Sequence, residues 1–319
     1  MAGALALFTT GIADPSNQIG WLMPNTRVAL LGVSAFGFAA GVAGTYLVLR
    51  RRALAGDVIG HAALPGVAIA FLIWSGLYPE SNKSLPALLA GGMVASAVGM
   101  VSMATLRRFS NLPEDAILAI VLSTFFALGV VLLSIIQQVP SGSQGGIRDF
   151  IFGQAATIRP QEAYWMTATA GIVTASCFCL MKQWTLLCFD EAACQVMGFS
   201  RLLIDLLMFT AVLLVCVAGM QAVGLLLVVA LLVIPPTAAR FWTDHVRVMT
   251  LIAGMLGALA ALLGGIASAT YAKLPTGPVI VVSAAGLMGI SMLVGFRHGW
   301  LVGRRRRRYR PISDPMVQK

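Results

Sequence analysis

Charge is what this sequence has least of. Asp, Glu, Lys and Arg make up 11% of its 319 residues, where a soluble domain carries about 25%, and that scarcity excludes an ordinary solvated surface. Acids are rarer than bases, 12 against 22, for a net charge of +10. There are only three histidines and five cysteines. Cys177 and Cys179 are two apart and point to different helix faces, and Cys188, Cys194 and Cys216 form no C-x-x-C spacing. Such an odd set reads as reduced, structural thiols, not as a disulfide framework or a thiolate metal site. No G-x-x-x-x-G-K-[ST] phosphate loop occurs, so any ATP that drives this protein is bound on another chain.

What is present in excess is hydrocarbon. Hydrophobic residues are 58% of the chain and the mean hydropathy is +0.87, which makes this an all-α, polytopic helical membrane protein. Apolar runs of ~20 residues, the length that crosses a bilayer, lie at about 28–49, 57–77, 85–105, 115–136, 162–181, 203–220, 223–241, 247–270 and 277–296. That is about nine spans, within a range of eight to ten. The runs are too long and too continuously apolar for barrel staves. Three segments follow: residues 1–27 on the outer face, a transmembrane domain over 28–296, and a basic tail over 297–319. Residues 1–27 have no basic n-region and no clear cleavage site, so they are expected along the outer membrane boundary with Trp21 at the interface.

Positive charge sets the expected orientation. Arg50 to Arg52, Arg107, Arg108, Lys182, Arg201, Arg240, Arg247, Arg297 and Arg304 to Arg308 all fall on one side if the N-terminus is outside and the C-terminus cytoplasmic. The loops on the other side, 78–84, 137–161 and 272–276, include only Lys83, Arg148, Arg159 and Lys273. The expected location is the cell inner (plasma) membrane. Arg304 to Arg308 and Arg310 directly follow the last span, where such a cluster is drawn to anionic lipid headgroups. The run is short and has no folded groove around it, so nucleic acid is not expected as a partner.

Against this background, Asp57 and His61 stand out. They lie at i and i+4 in Gly56-Asp57-Val58-Ile59-Gly60-His61-Ala62-Ala63-Leu64-Pro65-Gly66, so on a helix their side chains meet on one face. Ionisable residues in a span are costly and mark functional sites. Pro65 has no N–H for the carbonyl of His61, four residues back. A carboxylate, an imidazole and a freed carbonyl resemble the first shell of a divalent cation. The plainer alternative is that Asp57 caps the helix and His61 packs in a polar contact. Other candidates are secondary. Asp205, four residues after Arg201, reads as its ion-pair partner. Gln221, at an outer turn, reads as a helix cap or as an oxygen offered to a passing ion. Pro235-Pro236 frees two carbonyls and marks a kink, a candidate gate or hinge. The outer loop 137–161 is rich in glycine and serine and suited to meet a docked partner. The inner loop 189–200 holds helix formers from Glu191 to Met197, ended by Gly198; it is a candidate docking element or an ordinary linker.

Several of these stretches together carry a resemblance. Leu49 through Ala68, Phe189-Asp190 through Gly198, Gln221 through Arg240, and Leu274-Pro275-Thr276-Gly277-Pro278 resemble, in order and spacing, the permease subunits of manganese/zinc/iron ABC importers. The resemblance covers about residues 26–296. It departs at Gly60, where the family more often has serine, and at Pro236, where alanine is common. It implies a vitamin-B12-importer-like helical permease that works as a dimer with a second copy or paralogue. It also implies an ATP-binding ABC subunit on the cytoplasmic face, docked on the coupling loop of Asp190, Glu191, Ala192, Ala193 and Gly198. A metal-carrying solute-binding protein would dock outside. The expected substrate is Mn²⁺, Zn²⁺ or Fe²⁺, held in transit by Asp57 and His61, with Pro65, Gln221, Pro235 and Pro236 as gate or hinge. No permanent cofactor and no enzymatic activity are expected of this chain. An ion-coupled secondary metal carrier is the alternative; it should show an internal repeat of spans, which the sequence does not. A membrane metalloenzyme would need further ligands near the pair, and the other histidines lie far along the chain.

Overall fold

The computed structural model describes residues 24–77, 85–138, 160–270, 274–295 and 297. Most of the expected outer segment 1–27, the glycine-rich stretch 141–146 and the basic tail beyond residue 297 lie outside the described residues. No strand occurs among the described residues. They form eleven helices, α1 (Pro24–Leu49), α2 (Ala55–Leu77), α3 (Leu85–Phe109), α4 (Glu114–Gln138), α5 (Pro160–Cys179), α6 (Met181–Phe189), α7 (Glu191–Val196), α8 (Arg201–Val223), α9 (Leu225–Arg240), α10 (Val246–Thr270) and α11 (Thr276–Val294).

Seven of these, α1 to α4, α8, α10 and α11, are long and apolar enough to cross a membrane. An eighth span results if α5 and α6, which meet at 64°, count as one broken crossing. The run expected as another span at 223–241 is α9, with 16 residues. At 1.5 Å per residue it is about 24 Å long, short of the ~30 Å hydrocarbon core. A single residue separates it from α8. Gly224 takes φ 88°, a backbone region that side chains disfavour, and so lets two apolar helices join with almost no loop.

The interior is built around α1, which packs on α5, α8, α9 and α10, while α2, α3 and α4 form a second group joined to it mainly through α8. Water expulsion between helices is no driving force in lipid, so association depends on close packing and polar contacts. Small residues provide the closeness. A Cβ on Gly37 would strike the carbonyl of Gly257, and one on Gly41 the carbonyl of Ala253. The Gly37–Gly41 spacing is thus used within the bundle, between α1 and α10. Gly66 and Gly91 bring α2 against α3 in the same way, and Gly129 of α4 rests on Leu64 and Pro65. Tyr46 meets Trp184 edge to face at 5.0 Å and ties α6 to α1.

Both proline sites lie inside unbroken helices, Pro65 in α2 and Pro235-Pro236 in α9. The carbonyl of Leu232, which Pro236 leaves without its helical donor, faces the Cα of Gly44. Gly44→Ala should therefore destabilise the protein by about 1–3 kcal/mol through overpacking, although alanine is the better helix former. Gly286→Ala, where a Cβ has nothing within 4 Å, should be neutral or mildly stabilising. Thermal unfolding in detergent, followed by tryptophan fluorescence, compares the two; equal midpoints would contradict this packing.

Candidate metal site and the ion-pair network beside it

The turn between α1 and α2 is made by three consecutive arginines. Arg51 has φ 58°, a left-handed conformation that costs a non-glycine residue about 1–2 kcal/mol. Its amide donates to the carbonyl of Val48, and that of Arg52 donates to the carbonyl of Leu47, which is the Schellman ending that normally uses glycine. Strain of this kind persists where the surroundings over-determine it, and here both flanking side chains are pinned.

Arg52 makes a two-pronged contact with Glu114 at the start of α4, Nε to Oε2 at 2.8 Å and Nη2 to Oε1 at 2.7 Å. Its Nη1 lies 3.2 Å from Oδ2 of Asp205 on α8. Arg50 is bonded to the other oxygen of Asp205 and to Glu191 of α7. Glu191 is also bound by Arg201 at 2.7 Å, and Glu114 by Arg107 of α3 at 2.8 Å. The arginine side chains at the corner are 4% and 7% exposed. Burial works against the charge of Arg52, but the Glu114 hydrogen bonds and the Asp205 charge outweigh it, so its pKa is raised. The Arg201–Asp205 pair expected from i,i+4 spacing is replaced by this network. Asp205 points into the bundle, where two guanidiniums reach it, and Arg201 turns to α7.

Five residues beyond Arg52, Asp57 is the third residue of α2, inside the helix and not at its cap. His61 is one turn further, and its Nε2 lies 3.2 Å from Oδ1 of Asp57. The ring meets Phe126 of α4 edge-on at 5.0 Å, and Nδ1 is buried with no hydrogen-bond partner among the described residues. Two contacts fix this end of α2 from outside. Ser96 of α3 donates to the carbonyl of Ile59 at 2.9 Å, and the thiol of Cys216 on α8 faces the carbonyl of Gly56 at 3.4 Å. The side chains of His61 and Asp57 are 21% and 29% exposed, on a turn whose other positions from Ala55 to Ala68 are all buried.

The separation suits one ion bound to both atoms. Ligands about 2.1 Å from a metal are about 3.0 Å apart at a right angle and about 3.4 Å apart at a tetrahedral angle, and 3.2 Å lies between. Two protein donors are fewer than such an ion needs. No group of three His, Cys, Asp or Glu residues able to hold a metal occurs among the described residues.

The remaining expected residues are elsewhere. Asp190 caps α7, its carboxylate accepting from the Ala193 amide at 2.9 Å. Gly198 (φ 82°) closes that helix, as its sequence position predicts. Glu191, Ala192 and Ala193 form the first turn, and Val196 (88% exposed) and Met197 (65%) form an open apolar tip. Gln221 lies near the end of α8, and its side chain is outside the described part. Pro65 adjoins the pair along α2, whereas Pro235-Pro236 is in α9, whose Leu232 side chain lies against Gly56, the neighbour of Asp57. The network of Arg50, Arg52, Arg107, Glu114, Glu191 and Asp205 was not foreseen. Its signal was that all three acids lie in the first two turns of their helices, on the arginine-rich side.

Comparison with known proteins agrees with this architecture. The profile of the ABC 3 transport family matches residues 23–295. The manganese transport system membrane protein MntC of Bacillus subtilis (strain 168) is 36% identical over 282 residues, covering 88% of this chain and 63% of that protein's length. The zinc transport system membrane protein TroC of Treponema pallidum (strain Nichols) is 35% identical over 279 residues, covering 88% of this chain and 92% of that protein. The solved structure of PsaBC from Streptococcus pneumoniae in complex with Fab has the same fold, with a TM-score of 0.75 at 24% identity, covering 91% of this chain and 99% of that one.

Removing one member of a buried ion pair strands the other charge and typically costs 3–5 kcal/mol. Arg52→Ala should fall near the lower end of that range, because Glu114 keeps 44% of its side chain exposed. Arg51→Gly should be neutral or stabilising, since it relieves the left-handed strain. Denaturant unfolding of the two variants in detergent measures both; a stabilising Arg52→Ala would show the network to be dispensable.

Proposed function

The chain belongs to the ABC 3 transport family, and we propose from this that it is the permease subunit of an ATP-driven importer of divalent transition-metal ions, Mn²⁺, Zn²⁺ or Fe²⁺. The observation that carries the substrate class is the Asp57–His61 pair, a hard carboxylate oxygen and an imidazole nitrogen held 3.2 Å apart in a nearly uncharged bundle. The names of the relatives, one for manganese and one for zinc, agree with it.

The pathway works by ligand exchange. An ion entering a narrow apolar passage loses most of its hydration shell, and Asp57 and His61 replace part of it. A second copy of the chain across a two-fold axis supplies another carboxylate and another imidazole and completes the coordination that one chain lacks. Four such donors accept Mn²⁺, Zn²⁺ and Fe²⁺ alike, and affinity order alone favours zinc over manganese. A transit site must also bind weakly enough to let its ion leave. With the arginine-rich end in the cytoplasm and the N-terminus outside, Asp57 and His61 in the first two turns of α2 form an inner-gate site. Pro65 and Pro235-Pro236 are the places where α2 and α9 have lost backbone hydrogen bonds and bend most readily.

The chain has no phosphate loop of its own, so an ATP-binding ABC subunit docks on the cytoplasmic face. Its contact is α7 with Val196 and Met197. A metal-carrying solute-binding protein delivers the ion at the opposite face. An ion-coupled carrier is the weaker reading, since it would not need a docking helix of this kind.

Asp57→Ala and His61→Ala should each abolish metal uptake in cells at unchanged membrane expression. Wild-type uptake by both variants would remove the ligand assignment. Val196→Asp combined with Met197→Asp leaves Glu191 and its ion pairs in place and should detach the ATPase. Co-purification at undiminished yield, with metal-stimulated ATP hydrolysis in liposomes intact, would show that α7 is not the docking element.

A further inference from the structure

A cavity of about 420 Å³ lies at the arginine-rich end between the last turns of α3, the first turn of α4 and the start of α8. Neither Asp57 nor His61 lines it. Its walls are apolar, chiefly Met100, Met103, Leu118, Leu206 and Phe209. Along α3 the lining runs from Met100 to Phe109, about 14 Å at the helical rise. That is close to half the ~30 Å hydrocarbon core, so the cavity reaches from the membrane boundary to about the depth of one leaflet. Its rim includes Val101 and Leu202, apolar side chains that are 58% and 69% exposed.

The polar end carries a surplus of positive charge. Arg52, Arg107 and Arg108 line it together with Glu114 and Asp205, three cations against two anions. Arg52 and Arg107 are engaged with Glu114 and lie beside Asp205. Arg108 is exposed and has no ion pair among the described residues; its guanidinium is held over the Phe109 ring, 5.8 Å from the centroid. An unpaired guanidinium at the mouth of an apolar slot of leaflet depth is complementary to a molecule with a single anionic head and hydrocarbon tails. A small anion would leave the apolar walls unused, and a cation would meet the surplus charge.

We propose that this cavity is a binding site for an anionic phospholipid of the leaflet at the arginine-rich end, with its phosphate on Arg108 and an acyl chain between α3, α4 and α8. The lipid fills a wedge between the helices that carry Arg107, Glu114 and Asp205. It thereby supports the network from the membrane side.

The test uses the full chain in its complex, in nanodiscs containing photoactivatable phosphatidylglycerol or phosphatidylcholine, with labelled peptides mapped by mass spectrometry. Phosphatidylglycerol should label the segments around Met100–Phe109 and Leu202–Phe209 about fivefold more than phosphatidylcholine, the factor that one basic residue contributes near an anionic surface. Arg108→Gln should reduce that excess to parity, and Ala104→Phe, which fills the slot, should abolish labelling by both lipids. Mapping by segment separates this site from lipid attracted to the basic tail. Equal labelling by the two lipids in the wild type, or an excess that survives Arg108→Gln, overturns the proposal. So does a cross-link from Ala104→Cys to another protein chain in the complex, which would show the groove to be a protein interface.

Discussion

The arginine corner between α1 and α2 is the constraint from which the rest of this structure follows. A charged group taken out of water in a membrane protein costs several kcal/mol unless it is paired and its hydrogen bonds are met. Arg50 and Arg52 are nearly fully buried, so carboxylates must come to them, and they come from α4, α7 and α8. Each acid thereby fixes the end of its own helix. The left-handed backbone at Arg51 is tolerated for the same reason, since its neighbours' side chains are already held. Arginine suits this task because its planar fork can bind two oxygens of one carboxylate while a free nitrogen reaches another, as Arg52 does with Glu114 and Asp205.

Above that corner the helices are held by shape. Lipid tails are as apolar as leucine, so leucine against leucine gains little, and the close contacts use glycine facing backbone, as Gly37 and Gly41 do on α10 and Gly66 on α3. The two halves of the structure therefore answer to different physics. The arginine-rich end is a charge lattice that defines where helices begin, and the membrane interior is a set of close backbone approaches that defines how they lie. Asp57 and His61 sit where the two meet, at the first open turns after the corner.

Much of the fold was legible because the dominant signal, long apolar runs bounded by basic residues, is local. The helices from Pro24 to Leu49 and from Val246 to Thr270 lie within a few residues of where hydropathy puts them. The α7 helix was legible too, because Asp190 and Gly198 are a cap and a stop that act on their own neighbours. What the sequence hid is whatever depends on partners far along the chain. Asp205 has an arginine four residues before it, and local spacing assigns the two to each other; in three dimensions guanidiniums from 153 and 155 residues away hold it instead. The apolar run at 223–241 looks like a span by composition; not legible were the 16-residue length of its helix and its contact with α1, where Gly44 faces Leu232. The Asp57–His61 contact was legible because it is an i,i+4 event, and the unpartnered Nδ1 of His61 and its contact with Phe126 were not.

The network also resolves an electrostatic conflict at the candidate site. A divalent cation beside Asp57 would be only five residues along the chain from a run of three arginines, in surroundings where charges are far less screened than in water. Arg50, Arg52, Arg107 and Arg201 bring four positive charges to that end of the bundle, and Glu114, Glu191 and Asp205 return three. With Asp57 included the ion-paired groups balance, four against four, which lowers the repulsion a dication would meet at the candidate pair, while Arg108 stays outside this network. Glu191 belongs to α7, so the same ion pairs that neutralise the corner bind this short helix to the start of α2. A displacement of α7 has to stretch Glu191–Arg50 or carry the corner with it, and the corner is the point from which α2 and its Asp57–His61 pair project. Charge balance at the site and mechanical connection to α7 are in this protein one set of bonds.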